Sequence, residues 1–194
     1  MSRIELRPLG PIDDDREGDL ERLNQPRLAI GGGFAANFNT NRLRSTTGPT
    51  FSGGTTDYLH AAADLVFKWR GWALQAEYLW KNASADQINS TAADGTDLIE
   101  YTRSGQGWIV QSSYTFPHPI EVVGRLSGIY AFSGTDPRLI AEADALGQEV
   151  AAGLNYYING HKLKLQGDWI ARMPHDFAFK EAEHVVHAQV DVTF

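Results

Sequence analysis

The stretch "YLHAAADLVFKWRGWALQAEYLWK" (58–81) decides the fold, because hydrophobic residues occupy every second position on both sides of Arg70–Gly71. Side chains of a β-strand point alternately to its two faces, so this pattern is typical of strands with one apolar and one polar face. The stretch therefore predicts two antiparallel strands joined by a tight turn. The predicted apolar face carries Leu59, Ala61, Ala63, Leu65, Phe67, Trp69, Trp72, Leu74, Ala76, Tyr78 and Trp80.

The same alternation recurs in six further segments, which brings the number of predicted strands to eight. A shorter stretch, "RIEL" (3–6), alternates like the tail of an earlier strand. The sequence therefore predicts an all-β fold. The six segments are 27–38, 107–116, 120–132, 149–158, 161–170 and 184–194.

Short and long connections alternate between these strands. The short links lie at Arg70–Gly71, 117–119 and 159–160, and the long polar ones at 39–57, 82–106, 133–148 and 171–183. Leu139, Ala143 and Leu146 also match helical spacing, but we interpret 137–148 as a loop. A meander with its long loops at one end is typical of outer-membrane barrels. The pattern predicts an antiparallel up-and-down transmembrane β-barrel.

Aromatic residues gather at both ends of the predicted apolar face. Trp69, Trp72, Phe116, Tyr156 and Phe194 lie towards the short turns, and Phe38, Trp80, Trp108, Tyr130, Phe132 and Trp169 towards the long loops. Aromatic rings favour the headgroup boundary of a membrane, so two such girdles favour a transmembrane barrel. The alternative is a soluble β-sandwich or calyx, whose alternation would look the same.

Composition excludes several classes of protein. The 194 residues include no cysteine, which rules out disulfides and thiolate metal sites. The net charge of −7 argues against nonspecific nucleic-acid binding, and the acidic stretch "DDDREGDLER" (13–22) supplies over half of it. No run of 18 apolar residues occurs, so no transmembrane helix is predicted.

Several stretches resemble the C-terminal half of the phosphate-selective porin O/P family of Gram-negative outer membranes. They are "RIELRPLGP" (3–11), "EGDLERLNQPRLAIGGGFAANFN" (17–39), "LQAEYLW" (74–80), "GWIVQSSYTF" (107–116), "EVVGRLSGIY" (121–130), "GLNYYINGHKLKLQGDW" (153–169) and "HVVHAQVDVTF" (184–194). The resemblance implies a sixteen-stranded porin, usually a homotrimer, that passes small anions such as phosphate. It also implies that the barrel-assembly machinery recognises the last strand, where Val190, Val192 and Phe194 match.

Family members are about twice as long and carry an export signal. "MSRIELRPLG" (1–10) lacks the apolar core of a signal peptide. We therefore expect Met1 to be an internal start, and the chain to be a C-terminal half or a truncated gene product. Residues 1–26 would hold the end of a preceding strand and an acidic periplasmic turn, and residues 27–194 a barrel segment of eight strands.

The polar face is the predicted pore lining. The resemblance places the family's anion-selecting loop in the N-terminal half, which is not in this sequence. Six bases and six acids on the polar face balance each other, so this half alone does not favour anions. The alternative is that these charges pair across strands, for instance Arg125 with Glu121 or Glu149. The predicted lining residues are Lys68, Arg70, Lys81, Arg125, Lys162, Lys164, Asp64 and Glu77.

No pattern predicts catalysis, a cofactor or a metal site. "GGGFAA" (31–36) matches a dinucleotide-binding spacing but is followed by a loop rather than a helix. "DDDREGDLERLN" (13–24) has Asn24 where a calcium loop needs glutamate, so we predict a solvated turn. His184 and His187 are three apart and face opposite sides of a strand.

The predicted function is therefore a porin segment in the bacterial outer membrane. Small hydrophilic solutes, anions such as phosphate among them, would diffuse through it passively. The segment would also contact outer-membrane lipid. Two alternatives stay open. One is a small closed eight-stranded outer-membrane barrel with a structural or adhesion role, and the other is a soluble β-barrel that binds a ligand. About eight strands enclose a space that side chains fill, whereas about sixteen leave an aqueous channel.

Overall fold

The computed structural model describes residues 1–12, 18–92, 94–160 and 162–192, and its regular structure is almost entirely β. Within these ranges one α-helix, α1, spans Pro137–Leu146, and two 3₁₀ turns follow at His175–Phe177 and Phe179–Glu181. No described helix is long and apolar enough to cross a membrane. The strands are β1 (Ser2–Leu6), β2 (Arg27–Thr40), β3 (Thr56–Trp69), β4 (Trp72–Ala83), β5 (Gln87–Thr91), β6 (Asp97–Tyr101), β7 (Gly105–Thr115), β8 (Ile120–Ala131), β9 (Gln148–Tyr157), β10 (Leu163–Met173) and β11 (Glu183–Val192).

Nine of these strands form a single antiparallel sheet in the order β1-β2-β3-β4-β7-β8-β9-β10-β11. The all-β antiparallel prediction is confirmed. "RIEL" belongs to β1, which pairs with β2, so the sheet has one strand more than the eight predicted. Among the described residues β1 and β11 are not paired with each other, and this sheet has two open edges.

The register confirms the two predicted faces. Leu65 on β3 lies opposite Ala76 on β4, and Ala76 lies opposite Val110 on β7. One position along, Asp64 lies opposite Glu77. Direct cross-strand partners share a face, so these rows define an apolar face through Leu65 and Val110 and a polar face through Asp64 and Glu77.

The apolar face is open to its surroundings. Val122, Leu126, Leu154 and Val190 are 42%, 44%, 55% and 61% exposed. Within the described residues no second layer covers this face, since α1 and the β5–β6 hairpin belong to the links at one end of the sheet. Monomeric soluble proteins rarely leave contiguous apolar patches beyond a few hundred Å² uncovered.

Two of the long links contain regular structure that the sequence analysis did not predict. The prediction of a loop at 137–148 is wrong, because Pro137–Leu146 is helical. Asp136 caps the helix by accepting a hydrogen bond from the Arg138 N–H at 3.0 Å, and Pro137 suits the first helical position. The link 82–106 contains the β5–β6 hairpin, where hydrogen bonds from the Thr96 hydroxyl and N–H lower the pKa of Asp94.

The link before β2 is not the solvated turn predicted for 13–24; its first residues, 13–17, lie outside the described residues. We call 18–26 the lower segment. Asp19 is 2% exposed and accepts hydrogen bonds from the N–H of Leu23 at 3.2 Å and of Gly71 at 2.7 Å. The carbonyl of Leu23 accepts one from the Arg70 N–H at 2.9 Å. The lower segment is therefore held against the β3–β4 turn.

The lower segment also reaches across the sheet. Arg22 donates a hydrogen bond to the carbonyl of Thr115 at the end of β7. A Cβ on Gly18 would lie 2.5 Å from a carboxylate oxygen of Glu121 on β8. In chain order the lower segment therefore starts beside β8 on the polar face, bonds the end of β7 and the β3–β4 turn, and then joins β2, so it lies along the short-turn end of that face.

Replacing Asp19 tests this anchor. In Asp19→Ala the buried Gly71 N–H loses its acceptor, and we expect the free energy of unfolding to fall by about 1–3 kcal/mol. Trypsin should then cleave after Arg22 sooner than in the parent chain. Urea denaturation and timed proteolysis measure the two effects, and the matched control is Glu21→Ala at an exposed position. Equal behaviour of the two variants would contradict the anchor.

Candidate functional site

The polar face brings acidic and basic side chains from distant parts of the chain into direct contact. Arg3 on β1 donates a hydrogen bond to Asp64 on β3 at 2.9 Å, passing over β2. Gly31 of β2 lies between them, and a Cβ there would lie 2.5 Å from both side chains. Glycine at this position therefore leaves room for an ion pair between strands that are not neighbours.

The acidic lining residues behave differently from each other. Asp64 is paired with Arg3, whereas its cross-strand neighbour Glu77 is exposed and has no ion-pair partner among the described residues. Asp64 and Glu77 are adjacent carboxylates, and Arg3 neutralises only the first of them. This part of the polar face therefore keeps a negative charge.

Arg125 is bound within the wall rather than left open to solutes. It donates a hydrogen bond to Glu149 on the next strand at 2.8 Å, and Glu149 also accepts one from Arg172 at 3.3 Å. The alternative of cross-strand pairing is confirmed for Arg125 and Glu149. Such a pair stiffens this part of the sheet, and it leaves less of the guanidinium available to any other anion.

The two predicted lysines near the last turn do not act as a pair. Lys162 lies in the turn before β10 rather than on the strand, because Asn159 and Gly160, with a φ of +52°, turn the chain and the Lys162 N–H bonds back to Asn159. The strand predicted at 161–170, which would have held both lysines, therefore begins later, at Leu163. Lys164 is on β10 and lies 3.5 Å from Asp191 on β11.

Lys68 and Arg70 lie at the short-turn end of the sheet. Lys68 is on the polar face but only 2% exposed, and a small pocket joins it to Ile12, Asp19 and Leu23. Arg70 is in the turn itself, and its guanidinium lies 5.2 Å from the centre of the Trp69 ring. Both residues therefore contact the lower end of the wall, and Lys68 is enclosed there.

A buried hydrogen-bonded carboxylate on this face was not predicted from the sequence. Glu121 is 2% exposed and accepts hydrogen bonds from the Asn155 side chain at 2.8 Å and the Tyr157 hydroxyl at 2.5 Å. Asn155 is its direct cross-strand partner. Alternation places Glu121 and Asn155 on the polar face, but only the register shows that they meet.

A second unpredicted feature is a cavity of about 560 Å³ at the long-loop end of the polar face. Lys81 and His60 line it from neighbouring strands, and Lys81 lies 4.3 Å from the centre of the Tyr58 ring. Arg44 and Arg103 join them from two different links. Of the predicted lining residues, Lys81 alone borders this cavity in the described chain.

The links around the cavity are connected to one another. Arg103 bonds Asp136 at 2.9 Å, and the Ser104 N–H donates to the Thr135 hydroxyl at 2.7 Å. These contacts join the link before β7 to the one that holds α1. Hydrogen bonds therefore hold these two links together at the long-loop end, and the bond to Asp136 fixes the position of Arg103.

The last strand contains two of the three residues of the predicted assembly signal. Val190 and Val192 are on the apolar face of β11, 61% and 50% exposed, and Phe194 lies outside the described residues. His187 bonds Asp168 on the polar face at 3.1 Å, while His184 stacks on Trp169 on the apolar face. The prediction that His184 and His187 face opposite sides is confirmed. Between residues 1 and 192, the described part of the chain holds no cluster of acidic and histidine side chains that could hold a metal ion.

No family model, curated protein or solved structure matches the chain. The resemblance to the phosphate-selective porin family therefore stays a prediction that the quoted segments carry.

Removing one hydroxyl tests the buried carboxylate. Tyr157→Phe deletes a hydrogen bond to Glu121, and we expect the free energy of unfolding to fall by about 1–3 kcal/mol. The matched control is the adjacent Tyr156→Phe on the exposed apolar face, where we expect a change within about 0.5 kcal/mol. Tryptophan fluorescence during urea denaturation measures both. Equal losses in the two variants would show that Glu121 does not depend on Tyr157.

Proposed function

We propose that the chain forms part of the wall of an outer-membrane β-barrel porin through which small hydrophilic solutes, including anions such as phosphate, diffuse passively. The observation that carries the proposal is the division of one continuous sheet into an uncovered apolar face and a charged opposite face. Membrane barrels need this division, since alternate residues meet lipid and water.

Lipid contact would stabilise the apolar face. Fully removing a valine or leucine side chain from water contributes about 1.5–3 kcal/mol, and Val122, Leu126, Leu154 and Val190, between 42% and 61% exposed, would each gain part of this. The backbone of the inner strands is hydrogen-bonded on both sides, as hydrocarbon requires. A bilayer satisfies both conditions at once.

Aromatic contacts at the two ends of the apolar face support the same placement. Near the short turns, Tyr114 lies between Trp72 and Phe116, with ring centres 5.4 and 5.0 Å apart. Near the long loops, Trp80 and Phe132 are 6.5 Å apart. Rings at both ends with aliphatic residues between them match the belts of a membrane barrel.

The open edges favour a barrel larger than this sheet. An unpaired strand edge is too costly in hydrocarbon, so we propose that β1 and β11 pair with further strands of the same protein or of another copy. Barrels of about sixteen strands leave an aqueous channel. The family resemblance adds a homotrimer and recognition of Val190, Val192 and Phe194 by the assembly machinery.

Thiol labelling tests which face meets lipid, and the chain's lack of native cysteine makes single labels possible. Leu126→Cys places a thiol on the apolar face, and the adjacent Ser127→Cys places one on the polar face. In liposomes we expect a membrane-impermeant maleimide to label the Ser127 variant and to spare the Leu126 variant. Labelling of both, or a monodisperse monomer in detergent-free buffer, would contradict the membrane proposal.

Osmotic swelling of proteoliposomes tests passage of solutes. We expect liposomes that contain the chain to swell in iso-osmotic monosaccharide or phosphate, because an aqueous path admits small hydrophilic solutes without saturation. Protein-free liposomes are the control. Correct labelling of Leu126→Cys and Ser127→Cys without any swelling would remove the porin function and leave the membrane sheet in place.

A further inference from the structure

The cavity at the long-loop end of the polar face combines two surfaces of different chemistry. Its volume of about 560 Å³ lies in the range of sites for small organic molecules. One end is lined by basic side chains, and the floor is lined by hydrophobic and small residues. The pair of surfaces matches a molecule with a charged end and an apolar body.

The basic end holds more positive charge than its neighbours neutralise. Lys81, Arg44 and Arg103 are cationic at neutral pH, and of the three only Arg103 has a carboxylate, Asp136, within ion-pair distance in the described chain. His60 lies directly opposite Lys81 on β3. The Coulomb attraction of two uncompensated cations therefore acts on any anion in the cavity.

The apolar floor interrupts an otherwise polar surface. Leu79 and Ile129 are on the polar face, and both are 56% exposed. Gly107 lies between them, paired with Leu79 on one side and with Ile129 on the other. Ala62 continues the row next to Leu79. A trough without a side chain in its centre, walled by two aliphatic side chains, suits a flat hydrocarbon group.

We propose that this cavity binds an amphiphilic monoanion, a carboxylate attached to an aromatic or compact hydrocarbon group. The carboxylate would lie against Lys81 and Arg44, and the hydrocarbon would lie over Gly107 between Leu79 and Ile129. This deepens the proposed function, on which it rests, by naming the class of solute that the wall recognises. Inorganic phosphate has no part that would use the floor.

Calorimetry with benzoate tests the proposal on the chain in phospholipid nanodiscs, with empty nanodiscs as the blank. We expect benzoate to bind at least about tenfold more tightly than acetate, phosphate or the uncharged benzamide. If benzamide bound as tightly as benzoate, the cations would have no role in binding. If phosphate bound as tightly as benzoate, the cavity would be a site for simple anions and the amphiphile proposal would be overturned.

Two variants address the two surfaces separately. Lys81→Met removes a charge at similar length, and Gly107→Leu fills the trough, where a Cβ would meet its nearest atom at an ordinary 3.4 Å. We expect each to weaken benzoate binding by about tenfold or more. Lys180→Met, which removes an exposed lysine outside the cavity and outside the predicted lining, is the control and should bind like the parent.

The outcomes distinguish failure of the amphiphile site from failure of the proposed porin wall. Absence of benzoate binding, with the maleimide pattern of Leu126→Cys and Ser127→Cys intact, overturns the solute assignment and leaves the porin wall. Unchanged binding in both Lys81→Met and Gly107→Leu also overturns it. Labelling of the Leu126 thiol overturns the membrane wall itself, whatever benzoate does.

Discussion

The antiparallel register between neighbouring strands is the constraint on which the rest of the structure depends. Side chains alternate with a period of two, so a slip of one residue would turn every apolar side chain to the polar face. The β3–β4 turn holds the register: Arg70 and Gly71 have φ values of +52° and +92°, and Trp69 pairs with Trp72 beside them. The lower segment bonds both turn residues, which ties the turn to the chain before β2.

The polar face carries three kinds of chemistry at different heights. At the short-turn end, the lower segment encloses Lys68 and approaches the buried Glu121. In the middle, ion pairs such as Arg125–Glu149 hold most charges within the wall. At the long-loop end, Lys81 and Arg44 have no acidic partner among the described residues. A solute that followed this face would therefore meet mostly paired charge, one unpaired carboxylate at Glu77, and available positive charge at the long-loop end.

If the sheet forms the proposed channel wall, this division would affect how the wall discriminates between solutes. An even count of acids and bases does not describe the field that a solute meets, because paired charges cancel locally while unpaired ones do not. Arg125 is central in the sequence pattern but neutralised by Glu149, whereas Lys81 gains two arginine neighbours from the links. Available charge on such a wall is set by contacts between strands and loops.

Alternation along the sequence was sufficient to predict the strands of the main sheet, the two faces and the short turns, though not the β5–β6 hairpin, because period and turn chemistry are local properties of the chain. The helix at Pro137–Leu146 was missed because its apolar spacing continues into β9, although Asp136 and Pro137 are a local signal for a helix start. The partners of Asp64, Arg125 and Glu121, and the meeting of Arg44, Lys81 and Arg103, were decided by the tertiary structure alone. These contacts join residues far apart in sequence, and only the register and the folded links bring them within reach.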